Sequence, residues 1–231
     1  MNYMKRYQYL IFDLDDTLFD FKKAEAQALK SLFENNQIDF TPENLQLYRN
    51  INNELWHKLE KQMISREAVL TQRFESFFLA HHRTVDGQSL ENEYRFLLNQ
   101  GHDLLPYAKE LLLALGEAGY TLLAGSNGLG ITQRTRLKES GILEFFSHLF
   151  ISEEVGFEKP NPLFYQAILS TFEDISPQNT LMIGDSLTSD IQGALNMGMD
   201  SIWLNHTQTS IPNPASYEVF SLKEIAALLL V

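Results

Sequence analysis

Short apolar runs that each end in a polar cluster constrain this chain most. "YLIF" runs into "DLDDT", "YTLLAG" into "SNG", and "TLMI" into "GDSLTSD". From Leu105-Pro106 onward such runs alternate with helical segments. Parallel strands need long crossover connections, so a strand–helix alternation implies a parallel sheet with helices on both faces. Ligands in such sheets bind beyond the carboxyl ends of the strands. Here "DLDDT", "SNG", "EKP" and "GDSLTSD" fall at or just past those ends.

Residues 7–14 read as a buried strand. The later strands are "YTLLAGSNG", "SHLFISEEV", "TLMIGDS" and "DSIWLN". Between them lie the helices "AKELLLALGEAG", "ITQRTRLKESG", "NPLFYQAILSTF" and "TSDIQGALNMG", three of which end in glycine, a helix stop signal. "SLKEIAALLLV" closes the chain as a helix. Residues 22–100 differ. "KKAEAQALKSLFENN" has helical spacing, and Thr41 with Pro42 opens a second helix carrying Leu45, Tyr48, Ile51, Leu55 and Leu59 as a stripe. "SREAVLTQRFESFFLAHH" and "SLENEYRFLLNQ" add two more. The expected fold is α/β, a doubly wound (Rossmann-like) parallel sheet with an inserted all-α cap over the strand ends. Its boundaries are 1–18 and 99–231 for the core and 19–98 for the cap.

With 44% hydrophobic residues among 231, the chain can bury a core. A net charge of −12 argues against a nucleic-acid polymer or an anionic membrane as partner. There is no cysteine, which removes disulfides, thiolate chemistry and Cys zinc sites. The basic start "MNYMKR" is followed by too short an apolar run for a signal peptide, and no run approaches a membrane span. A cytoplasmic protein with no required protein partner is expected.

Asp13, Asp15 and Asp16 place three carboxylates within four residues. If the strand continued, Asp13 and Asp15 would share a face, and the pair would need a divalent cation or a proton. A hard cation such as Mg²⁺ suits oxygen ligands; an acidic turn capping a strand is the other reading. "GDSLTSD" adds Asp185 at a second strand end, with Asp190 five residues on. Ser186, Thr188 and Ser189 are ordinary capping residues, which explains part of that segment. Ser126, Asn127 and Gly128 form a turn before a helix, suited to a phosphate or simply to a change of direction. Lys159 precedes Pro160, which favours an extended backbone that aims the ammonium inward.

Taken together, the four segments resemble the haloacid dehalogenase superfamily of phosphohydrolases over nearly the whole chain, and the helical insert resembles the C1-type cap of its subfamily I. That resemblance implies Asp13 as the nucleophile forming an aspartyl-phosphate and Asp15 as acid and then base. It implies Mg²⁺ held by Asp13, the carbonyl of Asp15, and Asp185, with Asp190 ordering the metal shell or Lys159. Ser126, Asn127, Gly128 and Lys159 would bind the phosphoryl group, and Thr17 would brace the turn. An acid at position 15 disfavours halide displacement, which has no leaving oxygen to protonate. Asp16 has no assigned role.

"SNGLGITQRTRLKESGI", "MISREAVLTQRF" and "DIQGALNMGMDSIWLN" further resemble the pyrimidine 5′-nucleotidase branch. This implies a small phosphomonoester substrate, a pyrimidine or non-canonical nucleoside monophosphate. A sugar-phosphate phosphatase or a phosphomutase is the alternative on the same scaffold. Trp56, Arg73 and Phe74 could contact a base, although Trp56 and Phe74 also read as cap core and Arg73 as a salt-bridged helix residue.

Overall fold

A computed structural model describes residues 7–230. The basic start discussed above lies outside the described residues, as does Val231. The chain divides into two compact units, residues 22–101 and residues 1–21 with 102–231.

The α/β unit opens with β1 (Tyr9–Phe12). The chain then passes into the helical unit through α1 (Phe21–Asn35), followed by α2 (Pro42–Glu60), α3 (Arg66–Ala80) and α4 (Gly87–Leu98). It returns through α5 (Ala108–Glu117), β2 (Thr121–Ser126), α6 (Gly130–Glu139), β3 (His148–Ile151), α7 (Ser152–Val155) and α8 (Pro162–Leu169). Next come β4 (Thr180–Gly184), a π-helical turn Leu187–Ile191, α9 (Gln192–Asn196), β5 (Asp200–Leu204), β6 (Tyr217–Val219) and α10 (Leu222–Leu229).

The six strands form one parallel sheet in the order β3-β2-β1-β4-β5-β6. The winding direction reverses between β1 and β4, so a crevice opens at their carboxyl ends. Strand residues alternate between two cores. Leu10 and Phe12 face α5 and α10, packing with Leu111, Leu115, Ile225 and Leu229. Tyr9 and Ile11 face α8 and α9, packing with Phe164, Ile168 and Ala194. Burial on both faces explains why the strands read as apolar runs rather than alternating ones.

Three local readings change. The first strand stops at Phe12, because the Leu14 carbonyl takes the N–H groups of Thr17, Leu18 and Phe19 and turns the chain. "SEEV" leaves β3 as a helical turn. β6, not anticipated in the sequence, is only three residues long and sits at the sheet edge with Glu218 exposed. A strand that short shows no period in the sequence.

In the helical unit, α2 begins as expected, with the Thr41 side chain accepting from the Asn44 N–H. α3 is capped likewise by Ser65. Its interior is an aromatic stack: Phe33 and Phe77 lie 4.5 Å apart in parallel planes, and Tyr48 packs 5.6 Å from Phe74. Among the described residues, no helix is long and apolar enough to cross a membrane.

Candidate active site

The ends of β1 and β4, the two strands at the winding switch, carry Asp13 and Asp185. Asp13 is almost wholly buried, and its N–H still donates to the Ile183 carbonyl of β4 at 2.9 Å. Its two oxygens are held separately: Oδ1 accepts from Lys159 Nζ at 2.7 Å, and Oδ2 accepts from the Thr17 hydroxyl at 3.0 Å. Thr17 therefore orients the carboxylate itself as well as standing in the turn. The left-handed residue Asp16 completes that turn, and His206 Nε2 donates to its carbonyl at 2.8 Å.

Lys159 is 1% exposed. Its ammonium has three hydrogens, and three acceptors surround it: Asp13 Oδ1, Asp190 Oδ1 at 2.7 Å and the Gly125 carbonyl at 2.6 Å. All three hydrogens meet acceptors within the protein, which sets one positive charge between Asp13 and Asp190. The peptide bond from Lys159 to Pro160 is cis. The loop is tied to the "SNG" turn through Asn127. The Asn127 side chain donates to the Lys159 carbonyl at 2.9 Å and accepts from the Lys159 N–H at 2.8 Å. Ser126, 2% exposed, ends β2, and its hydroxyl oxygen accepts from the Gly128 N–H at 3.0 Å.

Asp190 sits in the π-helical turn, fully buried. Its second oxygen accepts from the Ser186 N–H at 3.1 Å. The turn is propped from below by the Tyr165 hydroxyl, which donates to the Ser189 carbonyl at 2.9 Å. A side chain at Gly184 would overlap the Asp190 carboxylate, so the end of β4 requires glycine.

The carboxylates of Asp13, Asp185 and Asp190 offer oxygens within 4.8 Å of one another. Burial raises the Asp13 pKa to about 7; the Lys159 ammonium opposes that rise, and the charges of Asp190 and Asp15 add to it. Asp185 rises to about 9, mainly through burial and then through the charges of Asp13, Asp190 and Asp16. Burial works against the Lys159 charge, but Asp13 and Asp190 outweigh it and hold its pKa above the usual lysine range. Three acids facing one lysine leave a deficit of positive charge. A hard divalent cation with oxygen ligands fits that deficit and those donors.

Asp15 departs from the shared-face expectation. Because the strand ends at Phe12, its carboxylate is not one of the clustered three and is gripped by Gln133 and Arg136 of α6. These two residues went unread in the sequence. No sequence signal marked them; the structure shows α6 turning Thr132, Gln133 and Arg136 inward beside Leu137, an unusually polar buried face for a helix against a sheet.

The helical-unit candidates separate. Phe74 is fully enclosed by Tyr48 and Tyr94. Arg73 is 5% exposed, ion-paired with Glu91 and stacked 4.8 Å from the Tyr94 ring centre. Both are core residues and present no free face to a base. Trp56 is partly exposed, donating to Asn52 Oδ1 at 3.2 Å.

A buried carboxylate held by a lysine, a hydroxyl at the next strand end and acids at the winding switch bring the strand-end motifs together on a doubly wound sheet. The sequence pattern of the haloacid dehalogenase-like hydrolases matches residues 7–198. The crystal structure of the Bacillus subtilis HAD-hydrolase YfnB bound to magnesium superposes with a TM-score of 0.92 at 37% identity, covering 98% of this chain and 100% of that one. Pyrimidine 5′-nucleotidase PynA of Streptococcus pneumoniae is 38% identical over 95% of this chain and 93% of its own. Pyrimidine 5′-nucleotidase YjjG of Escherichia coli is 31% identical over 97% and 98%. This chain belongs to the haloacid dehalogenase-like hydrolases, and it is an enzyme of their phosphatase class.

Proposed function

We propose that the protein is a Mg²⁺-dependent phosphomonoesterase that acts on pyrimidine or non-canonical nucleoside monophosphates through an aspartyl-phosphate on Asp13. The observation that carries this reading is the Asp13 carboxylate, buried and oriented by Lys159 and Thr17 at the winding switch. The likeness to PynA and YjjG supports the substrate class.

An oxygen of Asp13 attacks phosphorus, the ester P–O bond breaks, and the leaving oxygen takes the proton of the Asp15 carboxyl. Water then attacks the aspartyl-phosphate and passes a proton to Asp15; the bond from Asp13 to phosphorus breaks, and inorganic phosphate leaves. Ser126 and the Asn127–Gly128 turn hold the phosphoryl oxygens. Lys159 offsets the charge that gathers around Asp13, and Asp190 keeps Lys159 in place. Asp13, Asp185 and the Asp15 carbonyl would hold Mg²⁺, which when bound supplies positive charge to the carboxylates and the phosphoryl oxygens. Substrate choice is assigned to the helical unit, residues 22–101, with Trp56 as the side chain to test. The setting is the cytoplasm, in keeping with a chain free of cysteine.

A phosphate-release screen with Mg²⁺ over ribo- and deoxynucleoside monophosphates and sugar phosphates tests the reading. Turnover should be highest on pyrimidine or non-canonical monophosphates and absent in Asp13→Asn. Faster release from sugar phosphates, or isomerised product with little free phosphate, would replace it with the sugar-phosphatase or mutase alternative.

A further inference from the structure

Beside Asp15 lies a hydrogen-bond relay anchored on α6. Gln133 and Arg136 stand one turn apart on α6, 1% and 0% exposed. The Arg136 guanidinium lies 4.3 Å from the ring centre of Phe19 and 5.6 Å from that of Phe21, which fixes its plane. An arginine only donates. Its donation to Gln133 Oε1, at 3.2 Å, therefore decides which way the Gln133 amide points. The oxygen must face Arg136, and the NH₂ must face away.

The two amide hydrogens of Gln133 then have one acceptor each, Asp15 Oδ2 and Ser126 Oγ, the latter at 3.0 Å. Ser126 Oγ also accepts from the Gly128 N–H. A hydroxyl has two lone pairs and one hydrogen. With both lone pairs engaged, Ser126 has only its hydrogen left to offer, so it stands as a donor. Arg136 meanwhile donates to the other oxygen of Asp15, and the carboxylate is held at both ends. Gly128 belongs to the same arrangement, because a Cβ there would overlap the Gln133 amide.

We infer that Gln133, oriented by Arg136, is a positioning residue that sets both the direction of the Asp15 carboxyl and the donor state of the Ser126 hydroxyl. The inference rests on the phosphomonoesterase reading above. Its consequence depends on the leaving group. A nucleoside leaves as an alkoxide and needs the Asp15 proton; 2,4-dinitrophenolate leaves without one.

The test compares wild type and Gln133→Glu, as full chains with Mg²⁺, on a nucleoside monophosphate and on 2,4-dinitrophenyl phosphate. Glutamate matches glutamine in size and keeps an acceptor toward Arg136, but it replaces both amide donors with a carboxylate oxygen facing Asp15, so a role confined to packing and charge balance predicts the same loss on both esters. The positioning role predicts that kcat on the nucleotide falls about 100-fold. The loss on the aryl ester should be smaller by about tenfold or more, since no proton is needed there. Gln133→Met, which removes the amide donors without adding a charge, should repeat the pattern and carries the test if Gln133→Glu does not fold. Equal losses on both esters, or no loss, overturn the role assigned to Gln133. Absence of phosphate release from either ester by wild type overturns the phosphomonoesterase reading instead, and this role with it.

Discussion

The helical unit and the α/β unit both bury charge, and they treat it in opposite ways. In the helical unit Glu91 is completely buried, yet Arg73 and Arg95 both bond to it, the latter at 2.9 Å. Glu25 is likewise met by Arg49 at 3.1 Å. Each acid has a basic partner, and the aromatic stack closes around them. In the α/β unit Asp13, Asp185 and Asp190 share one lysine, and burial drives Asp13 and Asp185 toward their protonated forms. Balanced buried charge does structural work. Unbalanced buried charge costs stability and is kept for chemistry.

The sharpest way to break this contrast is to neutralise one acid in each unit. Asp13→Asn should lower phosphate release by at least about 10⁴-fold, because the nucleophile is gone. The same change should leave the metal-free melting temperature unchanged or higher, since it removes one of three acids that share a single lysine while Asp190 still pairs with Lys159. A large drop in melting temperature would mean that Asp13 is structural after all. Glu91→Leu should do the reverse. It strands Arg73 among Phe74 and Tyr94, and the expected loss is about 3–5 kcal/mol by denaturant unfolding. Turnover per folded molecule should hardly change.

The pH dependence of stability sharpens the contrast further. Asp13 and Asp185 hold protons more tightly in the folded chain than in the unfolded one, where carboxyls keep their ordinary pKa. From the ordinary carboxyl range up to about 9, the folded state binds more protons, so metal-free stability falls as pH rises through that window. Melting curves recorded with chelator should show the decline, and saturating Mg²⁺ should flatten it and raise the melting temperature. Identical curves with and without Mg²⁺ would remove the basis for placing a cation at the cluster. The smallest effect is expected at Trp56. Trp56→Ala should raise KM for nucleoside monophosphates by about fivefold, through lost stacking, with little change in stability. An unaltered ranking of substrates would take Trp56 out of substrate choice.

Three of the motif segments were legible because each lies at the end of an apolar strand, where local pattern and chain order already fix the neighbourhood; Lys159 lies past β3 and α7 and was marked by the proline that follows it. Asp13, Lys159, Asp190 and Ser126 do converge on one crevice. Gln133 and Arg136 were not legible. Their partner Asp15 is more than a hundred residues away, and a glutamine and an arginine on a helix look like solvent-facing residues. Arg73 and Phe74 carried two readings in the sequence, base contact or, for Phe74, cap core and, for Arg73, a salt-bridged helix residue, and the structure places both in the core. An aromatic beside a cation fits either reading in the sequence, and packing decides between them.

The sequence alone determined the succession of β1 to β5 and of the helices other than α7, the all-helical insert and the residues at the strand ends. Those follow from periodicities of two and 3.6 residues and from the stop signals between them, all of which act over a few positions. The tertiary structure decided where each charge is spent. It ended β1 at Phe12, joined Asp15 to α6, and closed Lys159 with three acceptors. Electrostatic pairing and donor geometry depend on distance through space, and distance along the chain does not encode it.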